Sequence, residues 1–352
     1  MALATQNLVW GIAQPFTGMV ADRCGATRVV AAGLALYALG LAGMAWAPSA
    51  TALVLTGGIC IGIALSGTAF GVVYAALSRL VASERRGWAL GLAGAVAGIG
   101  QFALVPGAQS LIAACGWVAA LGVLSITATL LLPLAWPLND RTGETGPPAD
   151  VMPMSRAVRE AFTQPGFWLL NLGFLACGFQ LAFIASHLPA YLVDRGLRAG
   201  DGVAALAIVA LANVAGTYAA GLLGARWSRK RLLAGVYLAR SAAMALFLLA
   251  PLSSASLYVF SAAMGLLWLG TLPLTNGIVA QVFGVRYLGT LFGFVFLGHQ
   301  LGGFLGVWIG AVVFEATHSY DTAWLMAMLL GVIAAALHCP IDERPLMRPA
   351  TA

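Results

Sequence analysis

The chain is short of charge. Asp, Glu, Lys and Arg make up 9% of its 352 residues, against 61% hydrophobic ones. A soluble domain carries about 25% charged residues, so a water-facing globular surface is excluded. Lysine is nearly missing: Lys230 stands alone among 18 basic residues. That Arg bias, with the excess of Ala and Gly, fits a GC-rich bacterial genome. The five cysteines, Cys24, Cys60, Cys115, Cys177 and Cys339, are scattered, with no C-x-x-C pair and no histidine at ligand spacing. They read as small packing residues, so neither a disulfide framework nor a metal site is expected. No G-x-x-x-x-G-K-[ST] loop occurs, which speaks against ATP use. No mid-span pair of Asp, Ser with Lys, or His/Glu metal motif is present, so an enzyme is not expected, nor any cofactor. Met1 to Val20 lacks a basic n-region and holds Gln6, Asn7 and Gln14, unlike a cleavable signal peptide.

What is present is a series of apolar runs about 20 residues long, the length that crosses a hydrocarbon core of about 30 Å. So many of them predict an all-α, multi-pass membrane protein. Turn residues and charges place the spans near 2–21, 29–47, 51–78, 87–113, 116–136, 165–190, 202–224, 232–250, 255–282, 288–314 and 322–339. The span over 51–78 is long enough to tilt or overrun the bilayer.

The loops alternate in charge. Arg23/Arg28, Arg79/Arg85/Arg86, Arg141/Arg156/Arg159, Arg226/Arg229/Lys230/Arg231 and Arg286 fall on one side, with Arg344 and Arg348 of the tail. The other side shows Pro48-Ser49, Ala114-Cys115 and Ser253-Ser254, with only Arg195 and Arg198 as cations. The positive-inside rule makes the Arg-rich side cytoplasmic, and with the bacterial composition the expected compartment is a bacterial inner membrane. The net charge of +6 is therefore a topology signal rather than a nucleic-acid one.

One stretch repeats. Gly18-Met-Val-Ala-Asp22-Arg23-Cys-Gly25-Ala-Thr-Arg28 returns weakened as Gly221-Leu-Leu-Gly-Ala225-Arg226-Trp-Ser228-Arg-Lys-Arg231, an offset of 203 residues. Gly87, Gly91 and Gly100 match Gly289, Gly293 and Gly302 at an offset of 202. Two stretches sharing one offset indicate a duplicated multi-helix half. The expected division is 1–136 for the first bundle, 137–164 for a central cytoplasmic loop, 165–340 for the second bundle and 341–352 for a tail. On that offset the helix at 165–190 has no counterpart, so the first of twelve helices is expected to be missing.

Two six-helix halves with a G-x-x-x-D-R-x-G-x-x-R loop resemble the major facilitator superfamily over essentially the whole chain. The resemblance implies that Gly18, Asp22, Arg23, Gly25 and Arg28 form a cytoplasmic gating motif. There Asp22 meets helix ends and arginines in the outward-facing state. Gly221, Arg226 and Arg231 belong to a weaker second copy, because Ala225 and Ser228 replace Asp22 and Gly25. His187-Leu-Pro-Ala-Tyr191-Leu-Val-Asp194-Arg195-Gly196, His299-Gln300-Leu-Gly-Gly303-Phe-Leu-Gly306 and Ser319-Tyr-Asp321-Thr-Ala-Trp324 resemble the monocarboxylate and oxalate/formate antiporter-like branch. A basic residue that holds the substrate anion in those relatives has no match here; Asn213 and His299 stand in its helices.

Polar side chains on the helices that would line or flank a cavity are candidate substrate contacts. These are Asn7, Gln14, Tyr74, Gln101, Gln180, His187, Asn213, Asn276, His299 and Gln300. Each also fits a plain helix-bridging role. His299 stands near mid-span and is the one group there able to change charge around neutral pH. Arg240, inside a peripheral span, reads as structural. The expected function is secondary active transport of a small organic solute, a monocarboxylate or similar anion, by alternating access. A proton or counter-substrate would be coupled, in a monomer that contacts lipid and no nucleic acid. The alternatives are an exporter of neutral or amphipathic compounds and a truncated, inactive transporter.

Overall fold

The computed structural model describes residues 2–139 and 152–346. Arg141 and Arg348, placed above on the Arg-rich side, lie outside the described residues. Among the described residues every regular element is helical. In hydrocarbon nothing else open satisfies the backbone. The first half comprises α1 (Ala2–Cys24) and α2 (Ala26–Ala45), then a composite span and a long helix. The composite span runs through α3 (Ala50–Leu53), a π-helical stretch (Val54–Cys60), α4 (Ile61–Thr68) and α5 (Phe70–Leu80). The long helix α6 (Ser83–Leu130) leads into a 3-10 turn over Leu132–Leu138. The second half holds α7 (Met154–Thr163), α8 (Pro165–Asp194), α9 (Ala199–Arg226), α10 (Arg229–Leu249), α11 (Ser254–Leu267), α12 (Thr271–Phe283), α13 (Leu288–Thr317) and α14 (Asp321–His338).

Among the described residues, nine stretches are long and apolar enough to cross a membrane. One of them, Ser83–Leu138, has 56 residues, about 84 Å if straight and twice what a bilayer needs. It turns back at Gly116, whose φ of 79° suits a residue without Cβ. With that stretch counted as two crossings, and with α1, the eleven expected spans are all present. Local chemistry marks the turns. Gly25 (φ 89°) lets α1 pass directly into α2, and Gly284 (φ 87°) closes α12. Ser49 and Ser253 cap their helices by accepting from Ala52 N and Ser256 N, both at 3.1 Å.

Within the central loop, residues 154–163 form a helix, α7. Met154, Ala157 and Ala161 are buried on one face, while Arg156, Arg159 and Glu160 leave that face to the core. An amphipathic stripe only three turns long has no apolar run to betray it.

The duplication is visible in the packing. Spans 50–80 and 254–283 are both broken near the middle, at Ala69 (ψ 175°) and at Trp268–Gly270. The second half is the better covered: α8 has 67% of its apolar window buried, whereas the Ser83–Leu138 stretch has 17%. Matched glycines locate the difference. A Cβ on Gly302 of α13 would land on the Leu175 carbonyl of α8; one on Gly100 of α6 would meet nothing within 4 Å.

Candidate translocation site and gate

The two halves touch through helix pairs α1/α13 and α6/α9, and the contact is tightest at the Arg-rich end. A Cβ on Gly18 would strike the backbone of Gly289, and one on Gly221 that of Gly87 and Gly91. These glycines are therefore required for close approach. Asp22, at the end of α1, crosses into the other half. Its carboxylate accepts from the Gly289 and Thr290 amides at 3.2 and 2.7 Å and from Thr290 Oγ1 at 2.8 Å. It also pairs with Arg79 at 2.8 Å while its side chain is fully buried. A carboxylate on the first amides of a helix is favoured by both hydrogen bonding and the helix dipole. Arg23 and Arg28 of the same motif are exposed, as are Arg226 and Arg231 of the second copy. In that copy Ala225 lies against Gly87, where Asp22 lies against Gly289.

Further in, each broken span leaves carbonyls without a helical partner. The two halves supply different caps at positions exactly matched by the 202-residue offset, Ser66 and Trp268. Ser66 O accepts from Gln14 Nε2 at 3.0 Å and Thr17 Oγ1 at 3.2 Å. Trp268 O accepts from Arg240 Nη2 at 2.5 Å, and Leu267 O from Arg240 Nη2 and Nε at 2.6 and 3.1 Å. Arg240 Nη1 donates to Cys177 Sγ at 3.2 Å and Gln180 Oε1 at 3.4 Å. The guanidinium, fully buried, is thus spent on the protein and presents no free fork to a ligand.

Beside the breaks lie polar groups of another kind. Asn213 Oδ1 accepts from the Leu269 amide at 2.9 Å and from Thr217 Oγ1 at 2.8 Å. Its Nδ2 has no protein partner, and neither do Tyr74 Oη, Thr275 Oγ1 or Asn276 Nδ2, all buried. Gly94 and Gly98 of α6 bring these groups near one another: a Cβ at Gly94 would touch Tyr74 Oη (2.8 Å) and Thr217, and one at Gly98 would touch Asn213 Nδ2 (3.2 Å). Asn276 Oδ1 meets Ser78 Oγ at 3.5 Å, one turn along α5 from Tyr74. A buried donor left without an acceptor costs about 1–3 kcal/mol, so such a group normally faces water or a solute.

The other candidates are dispersed. His299 lies against Phe174 (4.7 Å) and stacks on Phe296 (5.3 Å). Its Nδ1 meets Gln300 Oε1 at 3.1 Å, and Gln300 Nε2 reaches Asn7 Oδ1 of the other half at 3.5 Å. Gln180 is buried and donates to Ala327 O at 2.9 Å, a brace between α8 and α14. His187 binds Val307 O at 2.9 Å and packs on Tyr320 near the far end. Gln101 is exposed on the bare face of α6. Arg79, Thr290, Thr17 and Thr217 were not among the candidates. Arg79 counted only as a loop charge, and short hydroxyl side chains in a span carry no distinctive sequence signal.

Two helical halves joined at one end, with a broken span in each and unclaimed polar groups between them, define a multi-pass membrane carrier. A sequence model of the Major Facilitator Superfamily matches residues 1–307, and the chain belongs to that family. It is 28% identical over 326 residues to Monocarboxylate transporter 13 of Rattus norvegicus, covering 89% of this chain and 72% of that one. It is 30% identical over 350 residues to Multidrug resistance protein MdtH of Cronobacter sakazakii, with coverages of 95% and 81%. Among solved structures, the transporter FucP in the outward conformation superposes with a TM-score of 0.71 at 19% identity, covering 96% of this chain and 88% of that one.

Proposed function

We propose that the chain is a secondary active transporter of small organic anions, a monocarboxylate or close analogue, working by alternating access across a bacterial inner membrane. The observation that carries this reading is the set of unclaimed donors of Tyr74, Asn213, Thr275 and Asn276 at the seam between halves. Amide and hydroxyl donors without acceptors suit a carboxylate or another acceptor-rich solute. With the Arg-rich loops cytoplasmic, the arrangement described is closed inward, and Asp22 is the latch. His299, through Gln300 and Asn7, links the halves. It is the group through which a proton would be coupled.

The test is uptake of labelled lactate and pyruvate into proteoliposomes, with and without a pH gradient. Asn213→Ala and Asn276→Ala should each lower uptake about tenfold, one lost solute hydrogen bond apiece. His299→Ala should abolish the pH dependence while leaving counter-exchange in place. A second reading, export of uncharged or amphipathic compounds, is favoured by the neutral chemistry of those four side chains and by the multidrug relative. Efflux of a neutral dye that is insensitive to lactate would select it and reject the first.

A further inference from the structure

At the Arg-rich end the two seams between the halves are unequal. On the α1/α13 side Asp22 and Arg79 supply an internal ion pair. The positions matched by the repeat on the α6/α9 side hold Ala225 for Asp22 and Gln281 for Arg79. Next to Gly87, against which Ala225 lies, a cavity of about 260 Å³ lies between the halves, lined by Ser83 and Arg86 from the first and by Gly221, Arg229, Gly277 and Gln281 from the second.

The two arginines here come from opposite halves and line the same cavity, where their like charges disfavour each other. Arg229 crosses Gly277, whose Cβ would overlap the guanidinium (Nε at 2.6 Å), and donates to Gln281 Oε1, a neutral acceptor. Arg86 gives its Nε to Ser78 O at 2.9 Å. The nearest acid acting on Arg229, Glu343, is engaged at the start of α10: it accepts from Ser228 Oγ at 2.6 Å and from Lys230 N at 3.0 Å. Glu84, beside Arg86, is exposed and held by Ser83 Oγ at 2.6 Å. Among the described residues no carboxylate lines the cavity.

We propose that this cavity binds an exogenous oxyanion, a phosphate group, which bridges Arg86 and Arg229 and ties the second seam as Asp22 ties the first. Guanidinium groups recognise phosphate by paired, charge-assisted hydrogen bonds. The oxyanion comes either from the cytosol as free phosphate or from the headgroup of an anionic lipid. Because its two cations belong to different halves, the site exists only while this end is closed, so occupancy holds the carrier in that state.

The experiment follows thermal unfolding of the full chain in neutral detergent, titrated with inorganic phosphate against chloride at matched ionic strength. A parallel series uses phosphatidylcholine vesicles with and without phosphatidylglycerol. Two variants accompany the native chain: Arg229→Gln, and Gln281→Glu, which sets a built-in carboxylate on Arg229 with almost no change of shape. A rise of melting temperature with phosphate identifies the soluble source; a rise only with phosphatidylglycerol identifies the lipid. In either case the response should weaken about tenfold in Arg229→Gln and vanish in Gln281→Glu. No response from the native chain in either series overturns the proposal, as does a response unchanged in both variants. The readout needs no transport substrate, so it stands or falls separately from the solute assignment above.

Discussion

Among single residues Asp22 has the most to do. Four donors from two helices converge on one carboxylate, and the groups it joins belong to different halves of the molecule. Removing one partner of a buried ion pair costs about 3–5 kcal/mol. In Asp22→Asn the loss of the Arg79 pair falls within the first half, while the weakened bonds to Gly289 and Thr290 fall on the closed arrangement, since only they cross between the halves. The variant should therefore fold but open at this end. A cysteine at Leu90, which is 1% exposed in the native chain, should react with maleimide about tenfold faster or more in the Asp22→Asn background. Equal rates would refute the latch. Asp22 and its glycines could be singled out from the repeat and the motif. Gly289 stands out in the repeat too, but its role and that of Thr290 do not, because nothing in the local sequence of α13 marks an amide as the target of a distant acid. The candidate contacts were legible only as polar residues in spans. Which of them bridge helices, as Gln14 and Gln180 do, and which keep an unused donor, as Asn213 and Asn276 do, is decided by neighbours 52 residues or more away in the chain.

Helices were far easier to read than their interiors. Run length and turn residues locate all eleven spans, since a bilayer sets both the length and the polarity of each one. The breaks at Ala69 and Trp268–Gly270 escape that reasoning. Neither interrupts the apolar run with a charge or a proline, though Gly270 stands in the second, and each persists because a neighbouring helix caps its loose carbonyls. Short α7 escaped for the opposite reason, having too little apolar surface. Matched glycines give a test at this scale. Gly302→Leu forces a side chain into the α8 backbone and should destabilise by about 1–3 kcal/mol or more, as overpacked cores do. Gly100→Leu meets nothing within 4 Å and should change the melting temperature of this chain little. A similar loss from both would mean that the face of α6 is occupied in the folded protein.

At the scale of the whole molecule the placement of charge makes the simplest prediction. Single cysteines at Arg85 and Arg229 should be labelled by a membrane-impermeant reagent from one face of inverted vesicles, and one at Arg198 from the other. Labelling of Arg85 and Arg229 from opposite faces would break the doubled architecture. The halves also differ in cover: the face that α8 fills on α13 has its equivalent on α6 bare, so the second half holds most of the buried apolar residues.

The fractures in spans 50–80 and 254–283 are splinted by different materials. Neutral Gln14 and Thr17 hold one carbonyl of the first, while an immobilised guanidinium grips two carbonyls of the second and reaches α8 as well. Each splint stays within its own half: the first ties α1 to α4, the second ties α10 to α11 and α8. Charge-assisted hydrogen bonds are the stronger kind, so compliance is lopsided. The first jaw yields at its fracture under less load than the second, which behaves as the anvil.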